Sequence, residues 1–246
     1  MEEGLSAKTN ALEILDKQLV SRAKKGQYGF VALGSGTDAY IHHEEKYLLT
    51  RGMLELFLKH KFPVFISTKC TLIKRDLDLL KEIDASSILP EDLKTTIGRG
   101  VILSVSVSSL NETITNLLEP GACSPVKRFE LVSHLKQKGF LAGINAMPLL
   151  PFISDTEDEL EKIIIKAKEV GADYLLAGSL TLFGNNPADS KTLFYKFLER
   201  YDPGLIPRYQ QLYANNYYPS FTYQNALKEQ VARLCHKHQI RNSIQS

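Results

Sequence analysis

Val31-Ala32-Leu33-Gly34-Ser35-Gly36-Thr37-Asp38-Ala39-Tyr40 is the stretch on which the reading of the fold turns. Three apolar residues with the look of a short buried strand run straight into two glycines, two hydroxyls and a carboxylate. A site at the carboxyl end of a parallel strand has this composition. The same grammar recurs downstream. Pro63 to Ile66 runs into Ser67-Thr68-Lys69; Val101 to Val107 carries Ser104 and Ser106, with Ser108 just beyond; Phe140 to Met147 ends in Asn145 and Met147; and Tyr174 to Leu180 contains Ser179 and leads to Thr181.

Strands therefore start near residues 30, 63, 101, 140 and 174, a spacing of roughly 35 residues that matches one βα unit. Helical periodicity fills the gaps. A first helix from about Thr9 is closed by Gly26, and Thr50 is placed to cap a helix carrying Met53, Leu54, Leu56, Phe57 and Leu58. Others are expected over Asp76 to Ile83, Pro125 to Lys138 and Thr156 to Val170. His42-His43-Glu44-Glu45 reads as loop, and Ala85 to Gly100, with Pro90, as a polar connection. Parallel strands joined by helical crossovers give an α/β fold, a whole or partial β/α barrel whose strand ends share one rim. That rim is the expected site.

The 246 residues carry 30 basic and 28 acidic side chains, a net charge of +2 that is too even to argue for nucleic acid or a membrane surface. No apolar run has the length of a membrane span, and Met1-Glu2-Glu3-Gly4 does not read as a signal peptide. Cys70, Cys123 and Cys235 are odd in number and far apart, so a reduced, cytoplasmic protein without disulfides is expected. From Asn185 the composition changes: 10 of the 22 Phe and Tyr residues lie there, with Pro203, Pro207 and Pro219. Two regions are expected, a barrel over 1–184 and an aromatic-rich helical extension over 185–246 that packs on it.

Each motif has competing readings. Gly34 to Ala39 fits the glycine pattern of a dinucleotide site, but no helix starts directly after it and no ribose-holding acid ends the second strand. A glycine-lined loop can instead offer backbone groups to a charged ligand, or be a plain tight turn. Lys69 can hold a carboxylate or phosphate in the mouth, or lie along the surface. Ser104, Ser106 and Ser108 share one face of their strand and suit either a ribose or a small-residue interior. Basic residues among the tail's tyrosines could contact nucleic acid, while aromatics at helical spacing also build cores. His42-His43-Glu44-Glu45 and Cys235-His236-Lys237-His238 lack the spacing of a zinc site.

Taken in order, Gly34-Ser35-Gly36-Thr37-Asp38-Ala39-Tyr40, Tyr47-Leu48-Leu49-Thr50-Arg51, Ser67-Thr68-Lys69, Arg75 to Leu80, Ser104 to Ser108 and Leu118 to Pro125 resemble the spore photoproduct lyase-like group of radical SAM proteins, also called DNA repair photolyase-like. The resemblance runs from about Gly4 to Gly184. It implies a partial (β/α) barrel of the radical SAM type in which the first strand and its CxxxCxxC cluster loop are missing, since Met1 falls just after the place of those cysteines. It implies S-adenosylmethionine at the mouth, with Ser35, Gly36 and Thr37 meeting its amino group and Lys69 its carboxylate. Ser106 or Ser108 would face the ribose, and Asn145 to Met147 the adenine. The family's 4Fe-4S cluster, which cleaves the sulfonium reductively to a 5′-deoxyadenosyl radical, has no ligands in this chain, so no metal residues are assigned. Two function classes follow: a radical SAM enzyme whose cluster segment lies outside this sequence, or a non-catalytic remnant that binds a nucleoside-like ligand or a partner. The missing strand would also bare a sheet edge, covered either by Gly4 to Lys25 or by self-association.

Overall fold

The computed structural model describes residues 8, 10–214 and 216–245. The expected use of residues 4–7 and 9, as part of an edge cover and as a helix start, lies outside them. Five strands, β1 (Val31–Leu33), β2 (Val64–Thr68), β3 (Val101–Ser106), β4 (Leu141–Leu149) and β5 (Leu175–Ser179), form one parallel sheet in the order β1-β2-β3-β4-β5. This is the α/β architecture expected from the strand spacing. The chain divides into two compact units, residues 1–103 and 104–246.

In the first unit, α1 (Ala11–Lys24) ends at Lys25 with Gly26 following at φ +65°, the left-handed turn for which glycine is suited. It packs on α3 (Leu49–His60), which buries Leu54 and Phe57. Val31, Ala32 and Leu33 sit opposite Val64, Phe65 and Ile66, so β1 lies flush with the start of β2. Among the described residues no strand flanks β1 on its other side. A groove of about 840 Å³, lined by Leu15, Leu19, Tyr28, Phe30 and Phe62 among others, runs there.

Three short pieces depart from expectation. Glu44–Tyr47 is a helical turn (α2) instead of loop, and Glu91–Thr96 forms α5, after α4 (Leu77–Ser86), inside the polar connection. Thr50 does not cap α3. That helix starts at Leu49, after Leu48 in a left-handed conformation, and the Thr50 hydroxyl donates to the Ala39 carbonyl. The capping acceptor is the Glu44 carboxylate, which takes the Thr50 and Arg51 amides at 2.9 and 3.2 Å.

In the second unit, α6 (Glu112–Leu118) is capped by Asn111, α7 (Pro125–Gln137) by Ser124 with Pro125 in its first turn, and α8 (Glu157–Glu169) by Thr156 ahead of three acids. Leu160, Ile163, Ile164 and Ala167 give α8 its buried stripe. Gly143 on β4 has a specific duty. A Cβ there would fall 2.4 Å from the Tyr174 carbonyl and 2.6 Å from its ring, so only glycine lets Tyr174 lie across β4 and reach the Ser104 hydroxyl at 3.0 Å. The tail adds α9 (Ser190–Tyr201), α10 (Ile206–Tyr213) and α11 (Phe221–Lys237). Phe194, Phe197, Tyr209 and Tyr213 bury themselves with Ile114, Leu150 and Leu182, and Tyr209 and Tyr213 donate to the Pro151 and Leu180 carbonyls. These tail aromatics are core, and the two tyrosines have their hydroxyls satisfied.

Candidate functional site at the strand ends

After Leu33 the chain turns at Gly34, whose φ is +90°. A Cβ at that position would lie 2.0 Å from the Ser67 carbonyl oxygen, so the end of β1 presses directly on the backbone of β2. Ser35, Gly36 and Thr37 then stand exposed, and a Cβ on Gly36 would meet nothing within 4 Å. Asp38 returns the loop to the sheet. Its carboxylate accepts the Tyr40 amide at 2.8 Å, the Thr68 hydroxyl at 2.7 Å and the Lys69 amide at 2.6 Å. Four of the expected contact residues, Ser35, Gly36, Thr37 and Lys69, are thus brought together by a fifth that had been assigned no role. Asp38 lay inside the quoted motif, but two of its three partners, Thr68 and Lys69, stand some thirty residues away.

Behind this loop lies a buried charge network. Asp76 is fully buried and receives Arg75 at 2.8 and 3.0 Å and Arg51 at 2.7 Å; Arg75 also reaches the Glu44 carboxylate at 3.0 Å. Burial pushes the Asp76 carboxyl upward, but the hydrogen bonds from Arg75 and Arg51 outweigh it and hold the group below the usual carboxylate range. Tyr40, buried against this network, has its phenol pushed well above its ordinary value, first by burial and then by the Asp76 charge. The network ties α2, α3 and the turn at 71–76 together, and Thr50 on α3 donates its hydroxyl to the Ala39 carbonyl just past the loop.

In the second unit Ser106, Ser108 and Asn145 lie close together. The Val107 amide donates to the Asn145 carbonyl at 3.0 Å, which fixes the end of β3 against β4. Ser106 is buried and its carbonyl accepts from Arg128 at 3.1 Å. Ser108, 2% exposed, donates its hydroxyl proton to Glu119 at 2.9 Å. The opposite oxygen of Glu119 meets Arg128 at 2.6 Å. Ser104 is turned to Tyr174 instead of toward open space. Met147 is 37% exposed and lies over Gly178, where a Cβ would come within 3.1 Å of its side chain. It walls a groove of about 370 Å³ with Leu176, Phe221, Gln224, Asn225 and Lys228. Glu119, just past the end of α6 and inside the quoted Leu118 to Pro125 stretch, and Arg128 on α7 were assigned no role by the sequence reading, because charged residues are ordinarily solvated.

The cysteines are scattered through local roles. Cys70 accepts the Leu72 amide, the Cys123 carbonyl accepts from Arg128 at 2.7 Å, and Cys235 is buried on α11 with its thiol pushed up to about 11 by desolvation. Among the described residues no three His, Cys, Asp or Glu side chains are placed to hold a metal ion. These residues do not fit an iron–sulfur cluster, which takes several convergent thiolates. Among the same residues, no helix is long and apolar enough to cross a membrane.

The fold is a partial β/α barrel similar to those of spore photoproduct lyase and SuiB. A spore photoproduct lyase variant with dinucleoside spore photoproduct superposes over 93% of this chain and 64% of that chain, with a TM-score of 0.63 at 12% identity. SuiB of Streptococcus suis bound to S-adenosylmethionine superposes over 84% of this chain and 43% of that one, with a TM-score of 0.51 at 12% identity. In sequence, the chain is 28% identical over 233 residues to an uncharacterized protein of Mycobacterium tuberculosis, across 95% of this chain and 63% of that protein. The chain therefore spans somewhat under two thirds of the curated relative's length. No family model matches it.

Proposed function

We propose that this chain is the ligand-binding part of a radical SAM-type barrel and takes S-adenosylmethionine at the carboxyl ends of its strands. The observation that carries the reading is the Asp38 junction, which holds an exposed Ser35-Gly36-Thr37 loop beside Lys69. An exposed loop with a glycine open to solvent can present backbone and hydroxyl groups to an ammonium, and a lysine beside it supplies the counter-charge for a carboxylate. Those two groups at fixed separation are what the methionyl end of the ligand offers. Ser106 at the end of β3 and Ser108 just beyond it, with Asn145 and Met147 on β4, are assigned to the nucleoside. The binding of S-adenosylmethionine by SuiB and by spore photoproduct lyase, two proteins of the same fold, supports the choice of ligand.

Reductive cleavage of the ligand needs an iron–sulfur cluster, whose ligands the described residues do not supply, and no step of that chemistry is assigned to them. The reading is therefore of a binding barrel, catalytic only where another segment or subunit provides the cluster. Isothermal titration of the purified chain with S-adenosylmethionine tests it. Saturable binding is expected, weakened about tenfold by Lys69→Ala, as loss of one charge-assisted contact implies. Absence of heat and of dialysis-detected binding in the unaltered protein would refute the site, and equal affinity in the variant would refute the role of Lys69.

A further inference from the structure

Among the described residues Arg128 is the largest fully buried side chain, and it stands near the N-terminal end of α7, where the helix dipole disfavours a cation. Both features cost free energy, and three contacts offset them. Nε donates to the Cys123 carbonyl at 2.7 Å, Nη1 to the Ser106 carbonyl at 3.1 Å, and Nη2 pairs with Glu119 at 2.6 Å. Glu119, whose side chain is 10% exposed, uses its second oxygen to accept the Ser108 hydroxyl at 2.9 Å. A single guanidinium and its carboxylate therefore grip both ends of the Ser106-Val107-Ser108 segment.

A buried ion pair of this kind adds little stability over well-packed apolar groups, and what it supplies is a fixed geometry. The segment it fixes closes β3: the Val107 amide donates to the Asn145 carbonyl on β4, and the Ser106 carbonyl accepts from a side chain that comes from α7. Arg128 spans three acceptors in three directions, which the single ammonium of a lysine cannot do. We propose that Arg128 and Glu119 are positioning residues: a clamp that sets the end of β3, and with it Ser106 and Ser108, for the nucleoside half of the ligand. The proposal rests on the strand-end site put forward above.

The test replaces the pair together, Arg128→Met with Glu119→Leu, so that no buried charge is left alone, and compares it with Arg128→Lys. The double variant is expected to melt within about 5 °C of the unaltered protein. Amides of residues 106–109, followed by hydrogen exchange without ligand, are expected to exchange at least about tenfold faster while the body of α7 keeps its protection. S-adenosylmethionine affinity is expected to fall about tenfold or more, with Arg128→Lys between the two. Should the double variant fail to fold, Arg128→Lys carries the same two measurements. Unchanged exchange at 106–109 would overturn the clamp, and faster exchange with unchanged affinity would reduce it to a structural brace. An unaltered protein that binds no S-adenosylmethionine would overturn the ligand site and the role assigned within it, while the exchange result, read without ligand, would stand or fall by itself.

Discussion

Replacing Asp38 by Asn is the perturbation that separates a tight turn from a built junction. In the structure one carboxylate oxygen takes the Tyr40 amide and the Thr68 hydroxyl, and the other takes the Lys69 amide. Asparagine keeps one oxygen for the first two but must turn its NH₂ toward the Lys69 N–H, so a donor faces a donor. A hydrogen bond to a charged group contributes about 1.5 to 3 kcal/mol, and a donor left without a partner adds to the loss. Thr68 is 2% exposed, so water cannot easily replace what is removed. The expected destabilisation is about 2 to 4 kcal/mol, which at a urea slope near 2 kcal/mol/M lowers the unfolding midpoint by ~1 to 2 M. Equilibrium urea unfolding followed by circular dichroism measures it. A midpoint within ~0.2 M of the unaltered protein, at an unchanged slope, would mean that the junction contributes no more than an ordinary surface turn, and the argument for a preorganised loop would fail.

Further outcomes follow from the same geometry. Gly34→Ala forces a side chain into a left-handed position 2.0 Å from the Ser67 carbonyl, and a loss of at least about 3 kcal/mol is expected by thermal or urea melting, against a near-neutral effect of Gly36→Ala, whose Cβ meets open space. Asp155 is held above its usual carboxylate value, first by burial, although the Tyr223 hydroxyl donates to it. A raised acid binds its proton more tightly in the folded state, so its contribution to stability falls as pH rises from 3.8 through the raised value. Asp155→Asn should flatten the stability profile over that range in urea melts at successive pH values, and an unaltered slope would refute the assignment. With its thiol pushed up to about 11 and buried, Cys235 should alkylate at pH 8 far more slowly than Cys70 or Cys123, as peptide mass spectrometry after brief iodoacetamide treatment would read.

The strand rhythm was legible because each buried strand is a run of apolar residues ending in polar or glycine residues, a local signal. Gly26 marked the end of the first helix for the same reason: the left-handed turn that stops a helix is set by the residue at that position. Thr50 misled because the cap of α3 comes from Glu44, six residues upstream, across a helical turn too short to announce itself by periodicity. The aromatic tail showed its composition but not its partners, since Tyr209 and Tyr213 find their acceptors at Pro151 and Leu180.

The sequence by itself determined the order of strands and helices, the glycines that must turn, and which strand ends carry hydroxyls and charge, because those depend on neighbours a few residues apart. Only the tertiary structure decided what the polar groups do. Asp38 is a carboxylate in a loop until Thr68 and Lys69 arrive, and Arg128 is a helix-surface charge until Ser106, Cys123 and Glu119 close around it. Burying a charge is tolerable only where distant backbone and side chains converge on it, and that convergence exists only once the sheet has formed.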